Sequence, residues 1–141
     1  MKIGFACGVF DLFHPGHVLM LIDCKSKCDY LLVAINKGEN ISKEINPDKK
    51  KPIYSLSERR LMLESCKYVD EVIEYGSEDE LLKILMSRKI DIRFLGDDYI
   101  GKPITGASVN IQLYYIDRSH GYSTTNTIKK IVGQRSTIDK K

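Results

Sequence analysis

Short apolar runs along the chain alternate with stretches whose apolar positions return every three or four residues. Lys2 to Cys7 is a continuous apolar run after its first residue and reads as a first strand. Val18, Leu19, Leu21 and Ile22 then recur at helical spacing through Cys28, and Tyr30 to Ile35 is a second strand-length run. Ser55 to Lys67 predicts a helix, and Glu71 to Glu74 a short edge strand. Ser77-x-x-Glu80 has the form of a capping box and opens a helix through Arg88. Ile92 to Leu95 and Ile111 to Ile116 are the fourth and fifth strands, and a final helix is expected from about Thr124 to Val132. Lys37 to Tyr54, with Pro47, Pro52 and several lysines, is the least regular segment and reads as a mobile loop.

Strands alternating with helices predict an α/β, Rossmann-like, doubly wound parallel sheet of about five strands with helices on both faces. The 141 residues suffice for one domain, residues 1–132, followed by a polar, frayed tail over 133–141. With 43% hydrophobic and 29% charged residues the composition is ordinary for a globular chain. A net charge of +3 suits a small anionic substrate and does not by itself argue for nucleic acid or a membrane surface. The apolar stretches at the start and at Val18 to Ile22 are too short and interrupted for a signal peptide or a spanning helix, so a cytoplasmic location is expected. Cys7, Cys24, Cys28 and Cys66 form no C-x-x-C pair and read as free, buried thiols.

The chemistry concentrates where the first strand should turn into the first helix, at Gly8-Val9-Phe10-Asp11-Leu12-Phe13-His14-Pro15-Gly16-His17. In an open parallel sheet the ligand crevice lies beyond the carboxyl ends of the strands, and the free N–H groups of the next helix favour an anion there. Pro15 suits the first helical position, and Gly16 leaves room for a ligand close to the backbone. Two imidazoles at such a place suit nucleotidyl transfer, where fixed donors meet charge building on phosphate oxygens. A surface loop or half of a zinc site would share the His-x-x-His spacing, but neither His120 nor the cysteines supply paired further ligands. Arg118, Ser119, Ser123 and Thr124 surround a Gly121 turn ahead of the last helix, so charge, hydroxyls and early N–H groups can converge on a second anion there; Ser-Thr-Thr alone is as well read as a helix cap.

The block from Gly8 to His17 resembles the signature of the HxGH nucleotidyltransferase superfamily. Ser57-Glu58-Arg59-Arg60, Tyr68-Val69-Asp70-Glu71-Val72, Gly96-Asp97-Asp98 and Arg118 to Thr125 follow in the order found in its cytidylyltransferases, the glycerol-3-phosphate cytidylyltransferases above all. The resemblance implies transfer of CMP from CTP to a small phosphorylated alcohol, with Mg2+ accompanying the nucleotide and a two-fold homodimer as the working unit. It implies that His14, His17, Lys50 and Arg118 act in catalysis. It also implies that Gly8, Val9, Phe10, Lys51, Asp98, Ser119, Ser123 and Thr124 join them in binding the nucleotide, the lysines by closing over the triphosphate. Arg59 and Lys67 become acceptor contacts; Asp11 either joins them, holds backbone N–H groups or takes part in binding Mg2+. Val9 stands where the family pattern has a hydroxyl residue, Lys67 where it has arginine, and the chain has no tryptophan where the pattern has one near the acceptor. An adenylyltransferase acting on a sugar phosphate or cofactor precursor, and a nucleotide sensor without turnover, are the competing readings.

Overall fold

Five strands, β1 (Ile3–Gly8), β2 (Tyr30–Asn36), β3 (Glu71–Tyr75), β4 (Ile92–Gly96) and β5 (Gln112–Ile116), form one parallel sheet in the order β3-β2-β1-β4-β5. The computed structural model describes residues 1–38 and 51–139, with only the backbone for 135–139. Helices α1 (Pro15–Ser26), α2 (Leu56–Glu64) and α3 (Glu78–Ser87) connect successive strands, and α4 (Thr124–Asp139) follows β5.

Alternation along β2 divides the core between two faces. Leu31, Val33 and Ile35 pack with Leu21 and Cys24 of α1 and Leu63 of α2, whereas Leu32 and Ala34 pack with Phe5, Leu81 and Leu85 beneath α3. A doubly wound sheet with helices on both faces is therefore what the chain forms. The four cysteines are free, and only Cys24 is fully buried; Cys7, Cys28 and Cys66 are half-buried. Among the described residues no helix is long and apolar enough to cross a membrane.

Two boundaries differ from the sequence reading. Helix α1 begins at Pro15, before the apolar spacing starts at Val18, because His14 and His17 themselves make its capping box. Helix α4 continues past Val132 to Asp139, through most of the segment expected to fray. Its Ile128, Ile131 and Val132 are exposed.

After β3 the chain crosses to the other side of β1, so the direction of winding reverses between β1 and β4. Connections at the strand ends diverge at that point and leave a crevice. Register places Gly8 beside the buried Ile35, Asn36 beside Tyr75 and Gly96 beside Ile116, and Gly8, Asn36, Tyr75, Gly96 and Ile116 line the crevice.

Candidate functional site

His14 is the N-cap of α1, and its Nδ1 accepts a hydrogen bond from the Gly16 N–H at 3.1 Å. His17 Nδ1 accepts from the His14 N–H at 3.2 Å. A ring nitrogen that accepts from a backbone N–H carries no proton, so each neutral imidazole holds its proton on Nε2 and presents that atom as a donor. The two rings stack with centroids 3.8 Å apart at 24°, and His17 stacks in turn on Phe13 at 5.5 Å. Burial lowers the His17 pKa to about 3, helped by the His14 and Arg118 charges and opposed by Asp11. Burial also lowers that of His14, with His120 and Arg118 acting in the same direction. Both are neutral near pH 7. A Cβ on Gly16 would lie 2.8 Å from His14 Cε1 and from Tyr122 Cβ, so this position has no room for a side chain.

The turn leading into this helix is strained: Phe10 and Leu12 are left-handed, with φ of 54° and 51°. Between them, the Asp11 carboxylate accepts from the N–H groups of Leu12 at 3.0 Å, Ile53 at 2.7 Å and Tyr54 at 3.0 Å. The Asp11 carbonyl accepts from the Thr124 hydroxyl at 3.0 Å. Arg59, only 2% exposed, donates to the carbonyls of Tyr54, Val9, Asn36 and Lys37 at 2.6 to 3.1 Å. Neither residue is laid out as an acceptor contact as expected. Asp11 holds backbone N–H groups, one of the roles open to it, and Arg59 spends its guanidinium tying the ends of β1 and β2 to the first turn of α2.

The opposite wall comes from β4 and the turn after β5. The Arg118 N–H donates to Asp97 Oδ2 at 3.2 Å, and its Nη1 to Asp98 Oδ1 at 3.3 Å. Asp98 thus positions Arg118 and does not line the cavity. A Cβ on Gly96 would collide with Asp98 Oδ1 and lie 2.9 Å from Arg118 Cδ. Ser119 donates its hydroxyl to Asp117 Oδ2 at 3.1 Å, and Ser123 Oγ accepts from the Asn126 N–H at 3.0 Å as a cap for α4. These two hydroxyls are engaged locally, and neither residue lines the cavity at the start of α1.

The cavity at the start of α1, about 230 Å³, gathers Gly8, Val9, Phe10, His14, His17, Arg118 and Thr124 from the expected set. Tyr99, His120 and Tyr122 join them there, and sequence reasoning had not assigned them to the site. His120 Nδ1 accepts from the Tyr122 N–H at 2.9 Å, which puts its proton on Nε2 when the ring is neutral. Its place between Arg118 and Ser123 was the available signal. Lys51 lines a separate groove with Lys37, Pro52 and Arg59, and Lys67 lies on the surface with Nζ 5.2 Å from the Tyr68 ring centre. Lys50 lies outside the described residues. A second cavity of about 420 Å³ shares Gly8, Val9, Gly96 and Tyr99 with the first and runs on to Asn36, Tyr75 and Arg93.

Among the described residues no three His, Cys, Asp or Glu side chains come together as a metal cage. Asp97 and Asp98 are both engaged with Arg118. Among the described residues the half-zinc-site alternative finds no partner set.

A cytidylyltransferase-like family model matches residues 5–137. The chain is 36% identical over 136 residues to the bifunctional protein HldE of Paramagnetospirillum magneticum, covering 94% of this chain and 27% of that protein. It is 36% identical over 134 residues to the glycerol-3-phosphate cytidylyltransferase of Bacillus subtilis, covering 94% of this chain and 99% of that one. The chain thus spans about a quarter of the HldE relatives and nearly the full length of the Bacillus enzyme. Among solved structures, a lipopolysaccharide core biosynthesis protein from Thermoplasma volcanium aligns with a TM-score of 0.63 at 27% identity, covering 83% of this chain and 95% of that one. A pantoate-β-alanine ligase from Francisella tularensis, at 18% identity and a TM-score of 0.61 over 89% of this chain and 64% of its own, shares the fold.

Proposed function

The chain belongs to the cytidylyltransferase-like family, and we propose that it transfers CMP from CTP to a small phosphorylated alcohol, glycerol 3-phosphate first among them. Full-length similarity to the Bacillus glycerol-3-phosphate cytidylyltransferase supports this choice of nucleotide and acceptor. The observation that carries the chemistry is the stacked pair His14 and His17, with both Nδ1 atoms occupied by backbone N–H groups at the amino end of α1.

In this mechanism an oxygen of the acceptor phosphate attacks the α-phosphorus of CTP, the bond to the β-phosphate oxygen breaks, and pyrophosphate leaves. The product is a CDP-alcohol, and no covalent enzyme intermediate forms. Negative charge builds on the phosphoryl oxygens in the transition state. The two Nε2–H groups and Arg118 are the donors that meet it, already oriented by the capping hydrogen bonds and by Asp98. Neutral imidazoles suit this work, because they donate without giving up a proton to the departing pyrophosphate.

Lys50 and Lys51 are the candidates for closing over the triphosphate. Mg2+ accompanies the nucleotide as a charge partner of its phosphates, and the steps above are those of the chain's own residues. The enzyme is cytoplasmic, binds neither nucleic acid nor membrane, and works as a homodimer. Exposed Leu61 and Met62 on α2, near the edge strand β3, are suited to the two-fold contact. Sedimentation checks the dimer. Pyrophosphate release from each nucleoside triphosphate in turn, with glycerol 3-phosphate as acceptor, tests the reaction. Release from ATP and not CTP would convert the assignment to an adenylyltransferase, and binding without release would leave a nucleotide sensor.

A further inference from the structure

Three imidazoles line the cavity at the start of α1, and two of them, on different walls, are held in the same way. His14 Nδ1 accepts from the N–H two residues further on, that of Gly16, at 3.1 Å. His120 Nδ1 likewise accepts from the N–H of Tyr122, two residues further on, at 2.9 Å. With the ring so placed, Nε2 carries a proton whether the imidazole is neutral or charged, and His120 offers a donor at that edge in either state. The Tyr122 ring backs it, with centroids 5.5 Å apart. Asp117, the carboxylate of the same turn, is taken up by the N–H and hydroxyl of Ser119. Of the charges acting on His14, that of His120 comes ahead of Arg118, as expected for two rings within reach of one ligand.

His120 also lines an open groove of about 470 Å³ beside the start of α4, together with Lys129 and Lys130. Neither lysine forms an ion pair among the described residues. The ring therefore stands where the histidine pair gives way to a basic surface. On the other side the cavity of about 420 Å³ is bordered by Glu78 and by Arg93, which is buried on β4 and donates to the Thr105 carbonyl. A triphosphate whose α-phosphate lies at His14 and His17 must leave its two outer phosphates on one of these sides. Their negative charge suits His120 and the two lysines, whereas the Glu78 carboxylate repels it.

Building on the nucleotidyl-transfer reading, we propose that His120 is a further catalytic residue, one that contacts the leaving pyrophosphate. As the bond between the α-phosphorus and the bridging oxygen breaks, its electron pair stays on that oxygen and the charge spreads over the pyrophosphate. The His120 Nε2–H donates a hydrogen bond to this group and keeps its proton. His14, His17 and Arg118 meet the α-phosphate; His120 meets what departs from it, and Lys129 and Lys130 border the way out.

Inorganic pyrophosphate and CMP probe the two parts of this site separately on the full chain. His120→Asn keeps an oxygen acceptor for the Tyr122 N–H and removes the donor at Nε2. By calorimetry its Kd for pyrophosphate should rise roughly tenfold to a hundredfold, the cost of one hydrogen bond to a charged group, while that for CMP stays within about twofold. His120→Gln, whose longer amide reaches the Nε2 position, should recover part of the loss. With CTP and glycerol 3-phosphate the asparagine variant should lose kcat and keep its KM for glycerol 3-phosphate. The wild type answers even if neither variant folds: diethyl pyrocarbonate labels accessible imidazoles, and peptide mass spectrometry should show His120 shielded by pyrophosphate and not by CMP. Unchanged pyrophosphate affinity in the asparagine variant, equal weakening of both probes, or labelling of His120 that pyrophosphate does not slow overturns its role and leaves the transfer reaction standing. Pyrophosphate binding that depends on His120, with no pyrophosphate released from any nucleoside triphosphate, supports the contact and refutes the reaction.

Discussion

Replacing His17 by asparagine should remove a pH dependence of stability that the wild-type chain carries. In the unfolded chain the ring titrates near 6.5, whereas in the fold its pKa is about 3. The unfolded state therefore binds a proton first as pH falls. The stability contributed by the neutral, buried ring is complete above 6.5 and is lost progressively down to about 3. Between pH 8 and pH 5 the loss from this one ring is about 2 kcal/mol, equivalent to roughly 1 M in the urea midpoint for a small domain. His14 shifts in the same direction, so the wild-type loss exceeds this figure. Asparagine places Oδ1 where Nδ1 stands, keeps an acceptor for the His14 N–H, and does not titrate. Urea unfolding at pH 8, 6.5 and 5 should show the wild type losing about 2 kcal/mol more than His17→Asn across that interval. Parallel losses in the two proteins would refute the burial argument and with it the neutral state assigned to the ring.

His17→Asn should also lower turnover at pH 8 by about 100- to 1000-fold, the usual cost of one fixed donor to a developing oxyanion, and near-normal rates would remove His17 from the chemistry. Gly96→Ala brings a Cβ against Asp98 Oδ1 and Arg118 Cδ; turnover should drop about tenfold or more through displacement of Arg118, with a thermal melt by circular dichroism little changed. Arg59→Lys leaves carbonyls of Val9, Asn36, Lys37 and Tyr54 short of donors and should cost about 3 kcal/mol in urea unfolding. A selective rise in acceptor KM with unchanged stability would return Arg59 to the substrate. Lys50→Ala should weaken use of CTP in steady-state kinetics and leave the melting temperature alone, whereas unchanged kinetics would shift the closing role to Lys51.

The apolar runs locate all five strands to within about a residue because strands buried on both faces leave a continuous signal, as in Leu31 to Ile35. Helix starts are less legible where the capping residues are unusual: histidine is not among the preferred caps, so α1 is visible from Val18 and not from Pro15. Arg59 reads as a surface residue or a phosphate ligand because nothing adjacent reveals the four distant carbonyls that enclose it. Arg93 is hidden by its neighbours Ile92, Phe94 and Leu95, whose strand character is complete without it. The later part of α4 has no apolar stripe to announce it. His14, His17 and Arg118 were legible because strand ends, helix starts and charge coincide there, and the crevice brings those three together.

The clamp around Asp11 bears on the order in which the molecule assembles. Two left-handed residues at the mouth of the crevice have almost no local support; the bonds that hold them come from residues 42, 43, 50 and 113 positions away in the chain. Contacts of such long sequence separation close late in folding, because the loops they seal must first lose their freedom. The turn ahead of the histidine pair therefore reaches its working geometry only once the ends of β1 and β2 and the start of α2 have come together. In refolding from urea, helical circular dichroism should recover ahead of pyrophosphate-releasing activity, and the delay should lengthen when Arg59 or Asp11 is altered.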